Sequence, residues 1–134
     1  MSIRDCIFFE LTSNARKASK YWKKSVADLG ITGVQAMVIN ALSEQNQITS
    51  MQLGQRVQLD SATMTGLLDR LEQSGLVQRI ADVKDRRAIR ISLTNSGTEI
   101  ARQVQQRQLE ANEDFMSKLD VEEVKMLKHL LSKL

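Results

Sequence analysis

The chain has no proline, one cysteine, one histidine and few aromatic side chains, which make up 4% of its 134 residues. Each shortage excludes something. A single thiol, Cys6, cannot close an internal disulfide, and one cysteine with one histidine gives no cluster with the ligand count of a metal site. No apolar run exceeds four residues, as at Cys6 to Phe9, against the ~20 that span a bilayer, and no charged-then-apolar leader opens the chain. The expectation is a protein of the reducing cytoplasm with no membrane partner. With only six glycines and no proline, and with Leu, Gln, Glu, Lys, Arg and Ala abundant, long helices are favoured over a many-turned β architecture. Nucleophile–base pairs, glycine-rich phosphate loops and carboxylate–histidine clusters are also missing from the sequence. It therefore gives no basis for an enzyme and calls for no cofactor.

Length and composition, 42% hydrophobic and 26% charged, fit one globular domain spanning residues 1–134. The net charge of +3 is too small to announce nucleic acid, but its distribution is uneven. Residues 1–30 hold six Lys/Arg against three Asp/Glu, residues 49–93 seven against five, and residues 94–134 six against seven. Phe8, Leu11, Ala15, Ala18, Trp22, Ser25 and Leu29 recur at three-four spacing, a narrow seam on a first helix that Gly30 ends. The last segment carries a similar seam, Val124, Leu127, Leu131 and Leu134, on a helix capped by Asp120 with Glu122 and Glu123 in its first turn. Seams this narrow, at both ends of the chain, predict pairing with a second copy.

Between them the pattern predicts a short helix capped by Thr32 with Val34, Met37, Val38, Ala41 and Leu42 inward. A third follows, capped by Thr49 or Ser50 and burying Met51, Leu53 and Val57. The fourth is the best defined. Capped by Asp60 or Ser61, it carries one stripe of Met64, Leu67, Leu68 and Leu71, and Gly75 supplies a left-handed stop. The period then changes to two. Residues 77–80 and 89–93 read as strands joined by a polar tip from Ala81 to Arg87, after which Thr94 caps a fifth helix running through Ile100, Val104, Ala111, Phe115 and Leu119. The glutamine- and arginine-rich middle of that helix is too polar for a monomer core. Two short helices with a tight connection, then a hairpin, make a helix-turn-helix with a wing. The free face of the fourth helix is Ala62, Gly66, Asp69 and Gln73, flanked by Thr63, Thr65 and Arg70. Small residues there admit close approach to base edges, hydroxyls of Ser61, Thr63 and Thr65 can bond bases or phosphates, and Arg70 can reach guanine or phosphate. The plainer alternative is a helical core with solvated charges.

Ile31-Thr32 with Gln35, the run from Leu59 through Arg79, Asp85-Arg86-Arg87 and Ile91-Ser92-Leu93-Thr94 together resemble the MarR family of regulators over essentially the whole chain. The resemblance implies a mostly α fold with a small β-hairpin wing, in which residues 31–93 form the DNA-binding lobe. Residues 1–30 and 94–134 would interlock in a homodimer through Phe8, Leu11, Trp22, Val124, Leu127, Leu131 and Leu134. It further implies a repressor on a pseudopalindromic double-stranded operator, released by a small aromatic effector. By position, Ser61, Thr63, Thr65 and Arg70 become recognition-helix contacts, and Gly66 stands where relatives place a larger residue. Arg87 becomes the wing residue entering the minor groove, with Asp85 fixing its guanidinium by an ion pair and Lys84 and Arg86 near phosphates.

Other residues invite a role. Tyr21 and Trp22 are candidates for an effector pocket, although Trp22 on the seam is equally explained by packing. Met37, Met51 and Met64 read as core, and His129 near a helix end is assigned no role. Cys6 suggests the family's peroxide-sensing branch, yet an ungapped match of Phe9, Leu11 and Arg16 puts Phe8 at that branch's cysteine, and Asp5 and Glu10 oppose thiolate formation. A thiol-redox regulator and a winged-helix module that binds protein therefore stand as the alternatives.

Overall fold

The computed structural model describes residues 1–85 and 87–134; Arg86, expected near a phosphate, lies outside them. In chain order come α1 (Ile7–Val26), α2 (Gly33–Glu44), β1 (Ile48–Thr49), α3 (Ser50–Val57), α4 (Ser61–Gln73), β2 (Val77–Ala81), β3 (Ile89–Leu93), α5 (Asn95–Phe115) and α6 (Val121–Ser132). Side-chain caps set most helix starts. Thr32, Thr49 and Asp120 each accept the backbone N–H three residues on, and the side chains of Gln35, Gln52 and Glu123 bond back to the cap N–H. Thr94 caps α5 and Asp60 caps α4 through one such bond each. After α1 a short 3₁₀ turn closes at Gly30, φ +73°. At the end of α4, Gly75 (φ +74°) completes a Schellman motif, with Leu76 N–H donating to Leu71 O and Gly75 N–H to Glu72 O, both at 3.0 Å.

The helix-turn-helix and wing share one core. Ile39, Leu42, Leu53, Met64, Leu68, Leu71 and Ile91 are its largest fully buried side chains. The wing is larger than the expected hairpin, because β1 adds to it and gives a three-stranded antiparallel sheet in the order β1-β3-β2, with Ile48 opposite Ile91 and Val77 opposite Leu93. A two-residue strand is too short for a period-two pattern to register. Its second residue, Thr49, is also the cap of α3.

Several inward assignments need correction. In α2 the buried residues are Ala36, Val38, Ile39, Ala41 and Leu42, while Val34 and Met37 are about half exposed. In α3 Met51 is exposed and only Leu53 and Gly54 are buried. Of the three methionines read as core, only Met64 is. The expected fifth helix stops at Phe115, and Leu119 lies in the turn before α6. Its polar middle does pack within the chain. Ala101 and Val104 are buried, Arg107 forms a two-pronged ion pair with Asp28 at 2.7 Å and bonds Ser25 O at 3.0 Å, and Gln105 donates to Ser43 at 2.9 Å. Apolar contacts through Ala101 and Val104 and these hydrogen bonds together tie α5 to α1 and α2.

The terminal helices are different. No residue of α6 is buried, Leu127, Leu130, Leu131 and Leu134 are all exposed, Val124 is half-buried, and at the other end Phe8 is 76% exposed and Leu11 half-buried. An exposed apolar stripe of this size is the kind of surface that marks an interaction site. The α1 seam divides: its second half, from Trp22, packs inside the chain against a small cluster of Val26, Ala36 and Val104. Among the described residues no single helix is long and apolar enough to cross a membrane.

Candidate nucleic-acid interface and effector pocket

Four buried side chains, Met64, Leu67, Leu68 and Leu71, hold α4 to the lobe and leave Ser61, Ala62, Thr63, Thr65, Gly66, Asp69 and Arg70 exposed. The predicted contact residues therefore share the solvent face. A Cβ built on Gly66 meets nothing within 4 Å, which marks open space along the middle of the helix. Between this face and the start of α2 lies a groove bordered by Thr32, Gln35, Thr63, Gly66 and Arg70.

The hydroxyls are more constrained than the sequence suggests. Thr63 donates both its backbone N–H (2.8 Å) and its hydroxyl (2.9 Å) to Asp60, and the Thr65 hydroxyl donates to Ser61 O at 2.9 Å. With their protons committed, both threonines present an oxygen lone pair and a methyl group. Those suit the exocyclic amine of adenine or cytosine and the methyl of thymine. The Thr63 bonds, its backbone N–H foremost, hold the Asp60 carboxyl below its ordinary pKa, so the cap is ionised at neutral pH.

Two acidic residues on α4 would repel phosphates, and a residue that the motif reading overlooked meets them both. Arg79 on β2 bonds Asp69 Oδ1 at 2.8 Å and Glu72 Oε1 at 3.1 Å, and its backbone N–H donates to Glu72 Oε2 at 3.2 Å. α4 and β2 are thereby cross-braced, and one of the two negative charges is offset. No spacing in the sequence singles this arginine out, because it stands seven and ten positions from its two partners and on another element.

In the wing, Asp85 and Arg87 do meet, but by a different contact from the expected one. Asp85 Oδ1 accepts the Arg87 backbone N–H at 3.0 Å, and among the described residues no ion pair joins their side chains. The carboxylate shapes the chain at the tip rather than clamping the guanidinium. Among the described residues an ion pair within the wing joins Asp82 and Arg90 at 2.7 Å, with Arg90 also donating to Gln47 O at 2.8 Å. Lys84 N–H bonds Asp82 as well, and that bond, followed by Arg90, depresses the Asp82 pKa. Lys84, Asp85 and Arg87 are all exposed at the tip.

A cavity of about 210 Å³ opens among α1, α2 and α5. Ala18, Trp22, Met37 and Ala111 give it apolar walls, the amides of Gln108 and Asn112 line one side, and Tyr21 stands edge-on to Phe115 with ring centroids 5.3 Å apart. The Trp22 indole N–H donates to Gly33 O at 2.9 Å, and the ring forms a wall of this cavity, as its place among the pocket candidates anticipated. The Tyr21 hydroxyl donates to Asp114, which raises the phenol's pKa above its usual value. Cys6 forms the N-cap of α1, half-buried and without a side-chain capping bond. Exposed His129 is a basic residue in the last turn of α6.

Comparison with known proteins agrees with this architecture. The model of the MarR family matches residues 29–88, from the turn after α1 to the wing. The HTH-type transcriptional regulator SarZ of Staphylococcus haemolyticus is 36% identical over 131 residues, covering 95% of this chain and 86% of its own. The homoprotocatechuate degradative operon repressor of Escherichia coli is 27% identical over 129 residues, 96% of this chain and 87% of the relative. Among solved structures, a mutant of MarR from E. coli complexed with operator DNA superposes with a TM-score of 0.86 at 27% identity, covering 92% of this chain and 89% of that one. The architecture and the near full-length match agree, and the chain belongs to the MarR family of winged-helix transcriptional regulators.

Proposed function

We propose that the chain acts in the cytoplasm as a homodimeric repressor, gripping a pseudopalindromic operator with two winged-helix lobes and releasing it when a small aromatic effector enters the cavity beside Trp22. One observation carries this reading. The face of α4 that the core leaves free is lined by small residues, hydroxyl acceptors and Arg70, and its acidic side chains are engaged by Arg79 from the wing. That combination fits a groove of double-stranded DNA, where base edges demand close approach and phosphates penalise free carboxylates.

The dimer is supported by the uncovered seams of α1 and α6, and a two-fold pair of lobes matches a palindromic site. The effector route is supported by position. The cavity is walled by α1 and α5 on one side and by α2 on the other, so a ligand filling it changes how the terminal helices sit against the lobe. The same reading makes the protein a regulator without catalytic activity. The test is a titration of a duplex carrying the operator, repeated at several salt concentrations. A steep linear fall of log affinity with log salt is expected, because each neutralised phosphate releases counterions. Affinity that ignores salt would favour the protein-binding module.

A further inference from the structure

The cavity beside Trp22 has a size and a charge that narrow what it can hold. A dry cavity of ~150 Å³ accommodates benzene and drug-sized ligands occupy ~300 Å³ or more, so about 210 Å³ suits one ring with one or two small substituents. None of its described lining residues carries a formal charge. The polar groups free to meet a ligand are the amides of Gln108 and Asn112 and the Tyr21 phenol, and the Gln108 amide and the phenol are each partly engaged. Asn40 donates to Gln108 Oε1, which leaves the Gln108 amide N–H groups for a ligand acceptor, and Tyr21 donates to Asp114, which leaves its oxygen for a ligand donor.

The nearby charges do not compensate an anion. Asp114 accepts the Tyr21 hydroxyl and, with Glu110 and Lys24, lines an adjoining hollow, and the guanidinium of Arg107, one residue before Gln108, is held by both oxygens of Asp28 and by Ser25 O. Lys23 borders a separate hollow that shares the Trp22 wall.

We propose that this site selects uncharged single-ring aromatics bearing a hydrogen-bonding oxygen, such as phenols and aromatic amides, over aromatic carboxylates. The proposal rests on the cavity being the effector site. A carboxylate seated there loses water without gaining a cation and faces the Asp114 charge, whereas an amide or phenol of the same shape meets matching donors and acceptors.

Trp22 is the only tryptophan in the chain, so its fluorescence reports occupancy without a label. The full chain is titrated with 4-hydroxybenzamide and 4-hydroxybenzoate, which share a ring and differ in charge, and operator affinity is read in parallel. The amide is expected to bind about tenfold tighter or more, each tenfold being about 1.4 kcal/mol. Asn112→Lys, at an exposed lining position where the fold tolerates a long side chain, is expected to reverse the order. Three results overturn charge selection while leaving the effector site standing. They are benzoate binding as tightly as the amide, benzoate binding that Lys23→Ala abolishes, and an unchanged order in Asn112→Lys. If neither compound moves Trp22 fluorescence or operator affinity while the operator is still bound, the effector reading fails and the proposal with it.

Discussion

Replacing Arg79 by methionine keeps most of the length of the side chain and removes the charge that faces Asp69 and Glu72. Arg79 is 27% exposed and its partners 56% and 44%, so these ion pairs are surface pairs worth about 0.2–1 kcal/mol each to folding. The loss should leave a folded protein, given stabilities of about 5–15 kcal/mol. Operator binding should suffer more. One charge removed at roughly 8 Å from a phosphate costs about 0.5 kcal/mol in water, so with about two phosphates per lobe and two lobes the total is about 2 kcal/mol, or about thirtyfold in affinity. Fluorescence anisotropy of a labelled operator duplex measures this directly. The triple variant Arg79→Met, Asp69→Asn, Glu72→Gln removes the exposed carboxylates too and should bind at least as tightly as the unsubstituted protein. The gap between single and triple variants should narrow as salt rises. Binding by Arg79→Met within twofold of the unsubstituted protein, or a triple variant as weak as the single, would refute the neutralising role.

Gly66→Arg, placed in open space on the free face of α4, should change which operators bind while melting temperature stays within a few degrees; an unaltered sequence preference contradicts the docking of this helix. Arg87→Ala should weaken binding by about 1–3 kcal/mol, the value of a good specific contact. Asp85→Ala should also weaken it, by releasing the tip backbone, although it removes a negative charge; tighter binding by Asp85→Ala in the same anisotropy assay would show that the carboxylate merely repels DNA. The Asp82 carboxyl is held below its ordinary value of 3.8, so its support of the wing is complete above that value and is lost as pH falls through the depressed one. Hydrogen exchange at Lys84 N–H should therefore stay slow down to about pH 5, and protection lost between neutrality and that point argues against the Asp82 brace. Leu127→Glu with Leu131→Glu should abolish the dimer by placing unpaired charge in the seam, and a variant that sediments as a stable dimer refutes the seam assignment.

The parts of the fold legible in the sequence were those fixed by local chemistry. The caps at Thr32, Thr49, Asp60, Thr94 and Asp120, the stop at Gly75 and the Met64/Leu67/Leu68/Leu71 stripe all act within a few residues, and each stands where the pattern put it. What depended on tertiary partners was not legible. Met37 and Val34 satisfy a helical period, but α2 turns Ala36 and Ile39 inward because α5 approaches from that side with Ala101 and Val104. Trp22 keeps its heptad spacing, and its packing against Val26, Ala36 and Val104 inside the chain is what that spacing does not show.

The candidate site divides along the same line. Which face of α4 is free follows from its period alone, whereas the partners of its polar groups do not. Arg79 reaches Asp69 across ten positions and Arg90 reaches Gln47 across forty-three, distances at which spacing carries no signal. Asp85 and Arg87 are close in sequence, and even so their bond runs through the backbone, because a carboxylate at a turn competes for the N–H two residues on.

The most direct measurement is selection of bound sequences from a random pool of DNA duplexes by the full chain, followed by sequencing of the enriched fraction. Two lobes related by a two-fold axis, each with α4 in a major groove, should enrich an inverted repeat whose half-sites lie about one helical turn, ~10 base pairs, apart. Enrichment of a single unrepeated site, or of nothing above the starting pool, would contradict dimeric operator recognition.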